Sequence, residues 1–379
     1  MKRLVSLLLV CLLLPVAALA GFAESSQVYD PGLAQYALQI AEMCYMPSMQ
    51  ASVLELGGYR MLGYYHGDRD ESDTRHVATY AVYDRLNEEG RTEYVIAVRG
   101  TGTGEWKLNM DLMPSGKYTL EYAENFRLAA EEILDTLEES LQTAVSPQFL
   151  VTGHSRGAAV ANVLGMLLTE RYGAENVFAY TFATPRTVRG TYPVYENIFN
   201  IINPADLVTY LPLPAWGFER YGRDLILPVE NPGLLETAAS AFAARSDQSG
   251  AFEDPNAGMD ALEQVVLAMS ALAPDVADAY TVQHALTHPG EAGDGEEGMT
   301  AGMFLLGLTD GQLFTTQTRV STATDMTSVQ NDFTPVLMSL AGLTQAAGGS
   351  WILNMHLPAM YGAWMQVMAD MQTGEIQVP

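Results

Sequence analysis

The segment Phe149–Gly165, FLVTGHSRGAAVANVLG, sets a serine between two glycines, with an apolar run before it and small residues after it. A serine hydroxyl in that setting suits nucleophilic attack on a carbonyl. Gly153-His154-Ser155-Arg156-Gly157 is the Gly-x-Ser-x-Gly pattern of a nucleophile elbow, where a strand turns sharply into a helix. Such a turn strains the serine backbone, so neighbours without a β-carbon relieve the crowding. Gly153 and Gly157 then allow strand and helix to pack closely, and Ala158, Ala159 and Ala161 extend that allowance. The hydroxyl comes to lie at a helix N-terminus, whose free amides suit a developing oxyanion.

A serine hydroxyl alone is a weak nucleophile. It needs a base, and the base needs an orienting carboxylate. In hydrolases with this elbow the partners follow in the order Ser, then Asp or Glu, then His. His66 and His76 precede the serine and fall away, and His154 inside the elbow is expected to pack or bond locally. For the acid, NIFNIINPADLVTYLP places Asp206 just past an apolar strand, in a Pro-containing turn. Glu170, Glu175 and Glu196 have no such placement. For the base, His356 stands in NMHLPAMYGAWMQ, where Pro358 suits the first turn of a helix. His284 and His288 flank an acidic Gly-rich break, as surface residues or as a weak cation site with Asp294. Composition prefers His356 without excluding them.

Two amides must face the oxyanion. One is expected from Arg156, directly after the nucleophile. The other is expected from the Gly-rich loop in VIAVRGTGTGEW, at Thr101. That loop lacks the lysine and serine spacing of a phosphate-binding P-loop.

These groups need a frame. A helix near Leu33–Tyr45 precedes apolar, strand-like runs at Arg60–Tyr65, His76–Tyr83 and Glu93–Arg99. In EYAENFRLAAEEILDTLEESL, Phe126, Ala129, Ile133, Leu137 and Leu141 keep helical spacing while the acids fall on the other face. Then come a strand (Gln148–Thr152), a helix (Arg156–Arg171) and strands at Asn176–Ala183 and Asn197–Asn203. This alternation predicts an α/β fold with a mostly parallel central sheet flanked by helices, the site beyond its carboxyl edge. From Trp216 onward helical patterns (Met259–Leu272, Met326–Ala346) alternate with Gly/Asp/Ser-rich breaks. Residues 217–349 are therefore expected to form a largely helical insertion or cap, with Met299 and Met303 suited to an adaptable apolar groove. Residues 21–216 and 350–379 would form the main domain.

The first twenty residues read as a secretory signal. Lys2 and Arg3 precede an apolar run, and Ala18-Leu19-Ala20 suits cleavage. The apolar run is short for a span and Pro15 interrupts it, so an exported chain without stable membrane insertion is expected. Net charge is −26, and loss of Lys2 and Arg3 takes it to −28, leaving Lys107 and Lys117 as the only lysines. Such a surface repels nucleic acid and anionic headgroups. Cys44 is the one cysteine beyond the signal, so no internal disulfide is expected; it reads as a buried apolar residue.

The pieces AVRGT, VTGHSRGAAVANVLG, YTFATPR, NPADLVTYLP and HLPAMYGAW, in that order, resemble the class 3 (fungal-type) lipase family. The resemblance implies the α/β-hydrolase fold, an ester or lipid substrate and no cofactor or metal. It implies Ser155 as nucleophile, Asp206 as acid, His356 as base, and Thr101 as an oxyanion donor. It also implies rival substrates on the same site, phospholipids or polysaccharide esters. The rival from another class is an exported binding protein on a retired hydrolase scaffold, which an intact Ser, Asp and His set speaks against. Two features depart from the family. Gly102–Glu121 carries no amphipathic lid helix, and the gap from Asp206 to His356 is long, so the insertion is expected to replace the lid.

Overall fold

A computed structural model describes residues 22, 25–66, 78–100, 121–189, 192–204, 206–210, 218–229, 231–245 and 355–373. In chain order the elements are α1 (Pro31–Met43), α2 (Pro47–Leu56), β1 (Arg60–Tyr65), β2 (Tyr80–Leu86), β3 (Thr92–Val98) and α3 (Glu121–Leu141). There follow β4 (Gln148–His154), α4 (Arg156–Tyr172), β5 (Val177–Phe182), β6 (Val188–Arg189), β7 (Ile198–Ile202) and β8 (Phe218–Glu219). β9 (Arg223–Ile226), α5 (Pro232–Arg245) and α6 (Pro358–Thr373) complete the set.

Seven strands form one sheet in the order β1-β2-β3-β4-β5-β7-β9. β1, β2 and β3 are an antiparallel meander, whereas β3, β4, β5, β7 and β9 run parallel. β6 and β8 pair separately as a short antiparallel ribbon. This is the mostly parallel, helix-flanked sheet expected from the sequence.

The central strands are largely apolar because both their faces are covered. Alternate side chains go to opposite sides. Val95, Ala97, Leu150, Phe178 and Tyr180 face one core, shared with α1, α5 and α6. Tyr94, Ile96, Phe149, Val151 and Ala179 face the other, under α3 and α4. α3 turns in Phe126, Ala129, Ile133 and Leu137 as its spacing predicts, with Arg127 and Glu131 paired at 2.8 Å outside. α1 starts cleanly: Pro31 stands in its first turn, and the Asp30 carboxylate accepts from the Leu33 amide at 2.9 Å. Cys44 is buried, as expected, and burial pushes its thiol up to about 12.

Sequence and structure differ at the expected boundary at Gly217. Residues 218–245 are body, not insertion: β9 pairs in parallel with β7, and α5 packs on α6. In α5, Leu234, Ala238 and Phe242 recur every fourth residue and form its buried stripe. α2 also went unread, and β2 begins four residues later than expected, at Tyr80. The expected helices Met259–Leu272 and Met326–Ala346 lie outside the described residues, with Met299, Met303, His284, His288 and Asp294.

The contact between β4, α4 and β3 leaves no room at two glycines. A β-carbon at Gly157 would overlap the Val98 carbonyl and approach Arg99 to 2.6 Å; one at Gly153 would overlap the Gly157 backbone. The obstacles are backbone and cannot rotate aside. Gly157→Ala is therefore expected to cost about 1–3 kcal/mol or more in urea unfolding. Gly233→Ala, whose new carbon would sit 3.6 Å from Asn231 Oδ1, is expected to be neutral within error.

Candidate active site

Ser155 is the single residue between β4 and α4, with φ 59° and ψ −129°. A positive φ in a residue with a β-carbon is strained, and such strain collects at functional turns. Neighbouring bonds hold it there. The Ser155 amide donates to the Phe182 carbonyl at the end of β5 (3.0 Å), and its own carbonyl accepts from Ala159 in the first turn of α4 (3.1 Å). The side chain stands at the carboxyl edge of the parallel strands.

The other two candidates converge on it. His356, just before α6, lies with Nε2 at 2.8 Å from Ser155 Oγ. Its Nδ1 faces both Asp206 oxygens, at 2.9 and 3.1 Å. Asp206 is fully buried, and its lone pairs are well used. Oδ2 also accepts from the Tyr361 hydroxyl at 2.7 Å, and Oδ1 from the Val208 amide at 3.0 Å. A carboxylate with these donors directs the Nδ1 proton of His356 toward itself and leaves Nε2 as the acceptor facing the serine.

The acid sits in a turn made rigid by its own backbone. The Asp206 amide donates to the Asn203 carbonyl (2.9 Å), and the Thr209 amide and hydroxyl return to the Asp206 carbonyl. Arg186 and Arg220 both donate to the Thr209 carbonyl, and Arg220 also reaches the Thr184 carbonyl (2.7 Å) and Asp224 (2.8 Å). Beneath them Thr181, Asn162 and Asn200 form a buried hydrogen-bonded set that ties β5, α4 and β7 to the Tyr221 carbonyl. Fully partnered networks of this kind rigidify a core.

Three residues around the site escaped the sequence reading. Tyr361 follows His356 by five residues on α6, and nothing in its local pattern marks it as a partner of Asp206. Arg220 belongs to the segment read as insertion. His154 was expected to bond locally, yet its Nε2 lies 2.7 Å from the His356 carbonyl, 202 residues away. Of the expected oxyanion donors, Arg156 begins α4 directly after the serine, and Thr101 lies outside the described residues. The start of its loop is placed: a β-carbon at Gly100 would come within 3.3 Å of Ser155 Cβ. Among the described residues no group of His, Cys, Asp and Glu forms a metal cluster, and no helix is long and apolar enough to cross a membrane.

The class 3 lipase family model matches residues 95–216, the stretch that carries both the elbow and the acid. A lipase of Rhizomucor miehei is 24% identical over 165 residues, covering 40% of this chain and 46% of that protein. The chain thus spans less than half of the curated relative it matches. The solved Rhizomucor miehei lipase–propeptide complex superposes with a TM-score of 0.40 at 18% identity, over 52% of this chain and 68% of that one. The lipase of Rhizopus microsporus var. chinensis gives 0.39 at 16%, over 52% and 73%. The sheet order and the elbow make this an α/β-hydrolase fold.

Two groups at this site have shifted protonation. Burial, and then the charge and hydrogen bond of Asp206, hold the Tyr361 phenol protonated well above its ordinary range. Tyr361→Phe is expected to lower stability by about 1.5–3 kcal/mol, the worth of a hydrogen bond to a charged acceptor. The same variant should leave tyrosinate absorbance of the folded protein unchanged up to pH ~11. Burial, and then the nearby charge of His356, hold the His154 imidazole well below 6.5. Above pH 6.5 both folded and unfolded chains carry it neutral. Below that, only the unfolded chain takes up the proton, so folding stability falls by up to about 1.4 kcal/mol per pH unit until the folded group also titrates. Urea unfolding of wild type and His154→Gln from pH 8 to 5 should show a stability difference that moves against the wild type below pH 6.5.

Proposed function

We propose that this chain is an exported, lipase-like carboxylic ester hydrolase working through an acyl-enzyme. Ser155 is the nucleophile, His356 the general base and then acid, and Asp206 the orienting carboxylate. The observation that carries this reading is the continuous hydrogen-bonded line from Ser155 Oγ through His356 to Asp206. Its first member stands on a strained strand-to-helix turn.

The chemistry follows from that line. Ser155 Oγ attacks the ester carbonyl while His356 Nε2 takes the hydroxyl proton. The imidazolium formed is stabilised by Asp206, which stays ionised. The oxyanion of the tetrahedral intermediate lies at the N-terminus of α4, where the Arg156 amide is one donor and the Thr101 amide the proposed second. Collapse breaks the ester C–O bond, and His356 returns its proton to the leaving alcohol. Water then attacks the acyl-serine with His356 again as base, releasing the carboxylic acid and restoring Ser155. No step calls on a cofactor or a metal. Export rests on the basic, apolar and small-residue order of the first twenty residues.

The test is hydrolysis of p-nitrophenyl esters from acetyl to palmitoyl by the mature protein. Ser155→Ala and Asp206→Asn are each expected to lower kcat by about 10^4-fold or more. A fluorophosphonate should label Ser155 and no other serine. Turnover of long chains supports a lipase, and turnover confined to short chains makes the substrate a soluble ester. A protein that neither turns over any ester nor takes the label is no serine hydrolase.

A further inference from the structure

Base and nucleophile come from distant parts of the chain, so something must hold the His356 backbone over the elbow. Two consecutive carbonyls before α6 are gripped from the sheet edge. The Met355 carbonyl accepts from Asn203 Nδ2, just after β7, at 3.2 Å. The His356 carbonyl accepts from His154 Nε2, the last residue of β4, at 2.7 Å. His154 is also the residue directly before Ser155. One chain step therefore separates the nucleophile from the group that anchors the base.

We infer that His154 is a positioning residue for His356, acting through the N–H that its imidazole donates to the His356 carbonyl. This rests on the triad reading above and adds to it the element that fixes the distance between base and nucleophile. A carbonyl only accepts, so the His154 proton sits on Nε2. Its Nδ1 is buried and has no hydrogen-bond partner among the described residues. The tautomer is thus set by the hydrogen bond that the His154 imidazole makes to the His356 carbonyl. Packing adds direction: the His154 ring lies 4.9 Å from that of His356 and 6.1 Å from that of Tyr361, and its residue is 3% exposed. The titratable groups facing it are His356 and Tyr361, with Asp206 behind both. Kept neutral by burial, His154 holds the backbone without setting a second cation beside the imidazolium that forms on His356 during acylation. A buried lysine or arginine would grip the same carbonyl but oppose that charge.

The test compares His154→Gln, which keeps an N–H near the Nε2 position, with His154→Phe, which keeps the flat ring and loses the donor. His154→Ala, which cannot overpack, serves as a second donor-free variant, and circular dichroism confirms folding of each. On p-nitrophenyl butyrate, His154→Phe or His154→Ala is expected to lower kcat about 10–100-fold with KM within about twofold, as for a misplaced catalytic group. Fluorophosphonate labelling should slow in parallel. His154→Gln is expected to recover activity to within about fivefold of wild type. Wild-type kcat in the donor-free variants, or a Gln variant as poor as the Phe variant, would overturn the proposal. If the wild type itself neither hydrolyses esters nor takes the label, the triad reading fails and the positioning claim is judged by NMR. The downfield proton of His356 Nδ1–H bound to Asp206 should persist in His154→Gln and broaden or vanish in His154→Phe. Its survival in the Phe variant sinks the inference without reference to activity.

Discussion

A backbone carbonyl of β3 occupies the space that a side chain at position 157 would need, and the elbow backbone does the same at 153. That steric constraint sets how closely α4 can lie against the sheet, and so where the strand must turn. With strand and helix this close, the linking residue is forced to positive φ, and Ser155 projects from the edge instead of packing beneath the helix. The Phe182 carbonyl and the first turn of α4 then hold the serine backbone by ordinary hydrogen bonds. The strain is local, and it is supported by a sheet covered on both faces.

Asp206 and His356 are fixed by polar groups. Asp206 is buried with its oxygens filled by His356, Tyr361 and the Val208 amide, and its turn is gripped at the Thr209 carbonyl by Arg186 and Arg220. Below it the Asn162–Asn200–Thr181 set joins α4, β5 and β7. The same part of the fold that supports the serine therefore supports the acid. Burial raises the cost of any missing partner in such a network, so its geometry has few alternatives.

Legibility in the sequence follows the range of each interaction. The elbow is legible because a steric demand on two glycines and a run of alanines is written in consecutive residues. Asp206 is legible because an apolar strand ending in Asn-Pro must turn, and an acid in that turn lands on the sheet edge. His356 is less so: the composition of its segment only prefers it, and the family resemblance decides. β9 was unreadable since Arg223, Asp224, Leu225 and Ile226 form a short edge strand with charged residues that look like a loop. α5 was lost in a Gly/Ser-rich texture because its buried stripe is three residues, one of them alanine. Tyr361, Arg220 and the reach of His154 act through contacts that exist only once distant segments meet, so no local pattern announces them.

His356 enters the site just ahead of the last helix described, more than a hundred residues after α5, against which that helix packs. That sequence separation raises the contact order of every bond α6 makes with the earlier elements, and high contact order slows folding. The strands from β1 to β7, the elbow and Asp206 all lie within the first 206 residues. The serine turn and the segment that brings His356 to it therefore belong to separate stretches of the chain, joined only by long-range contacts.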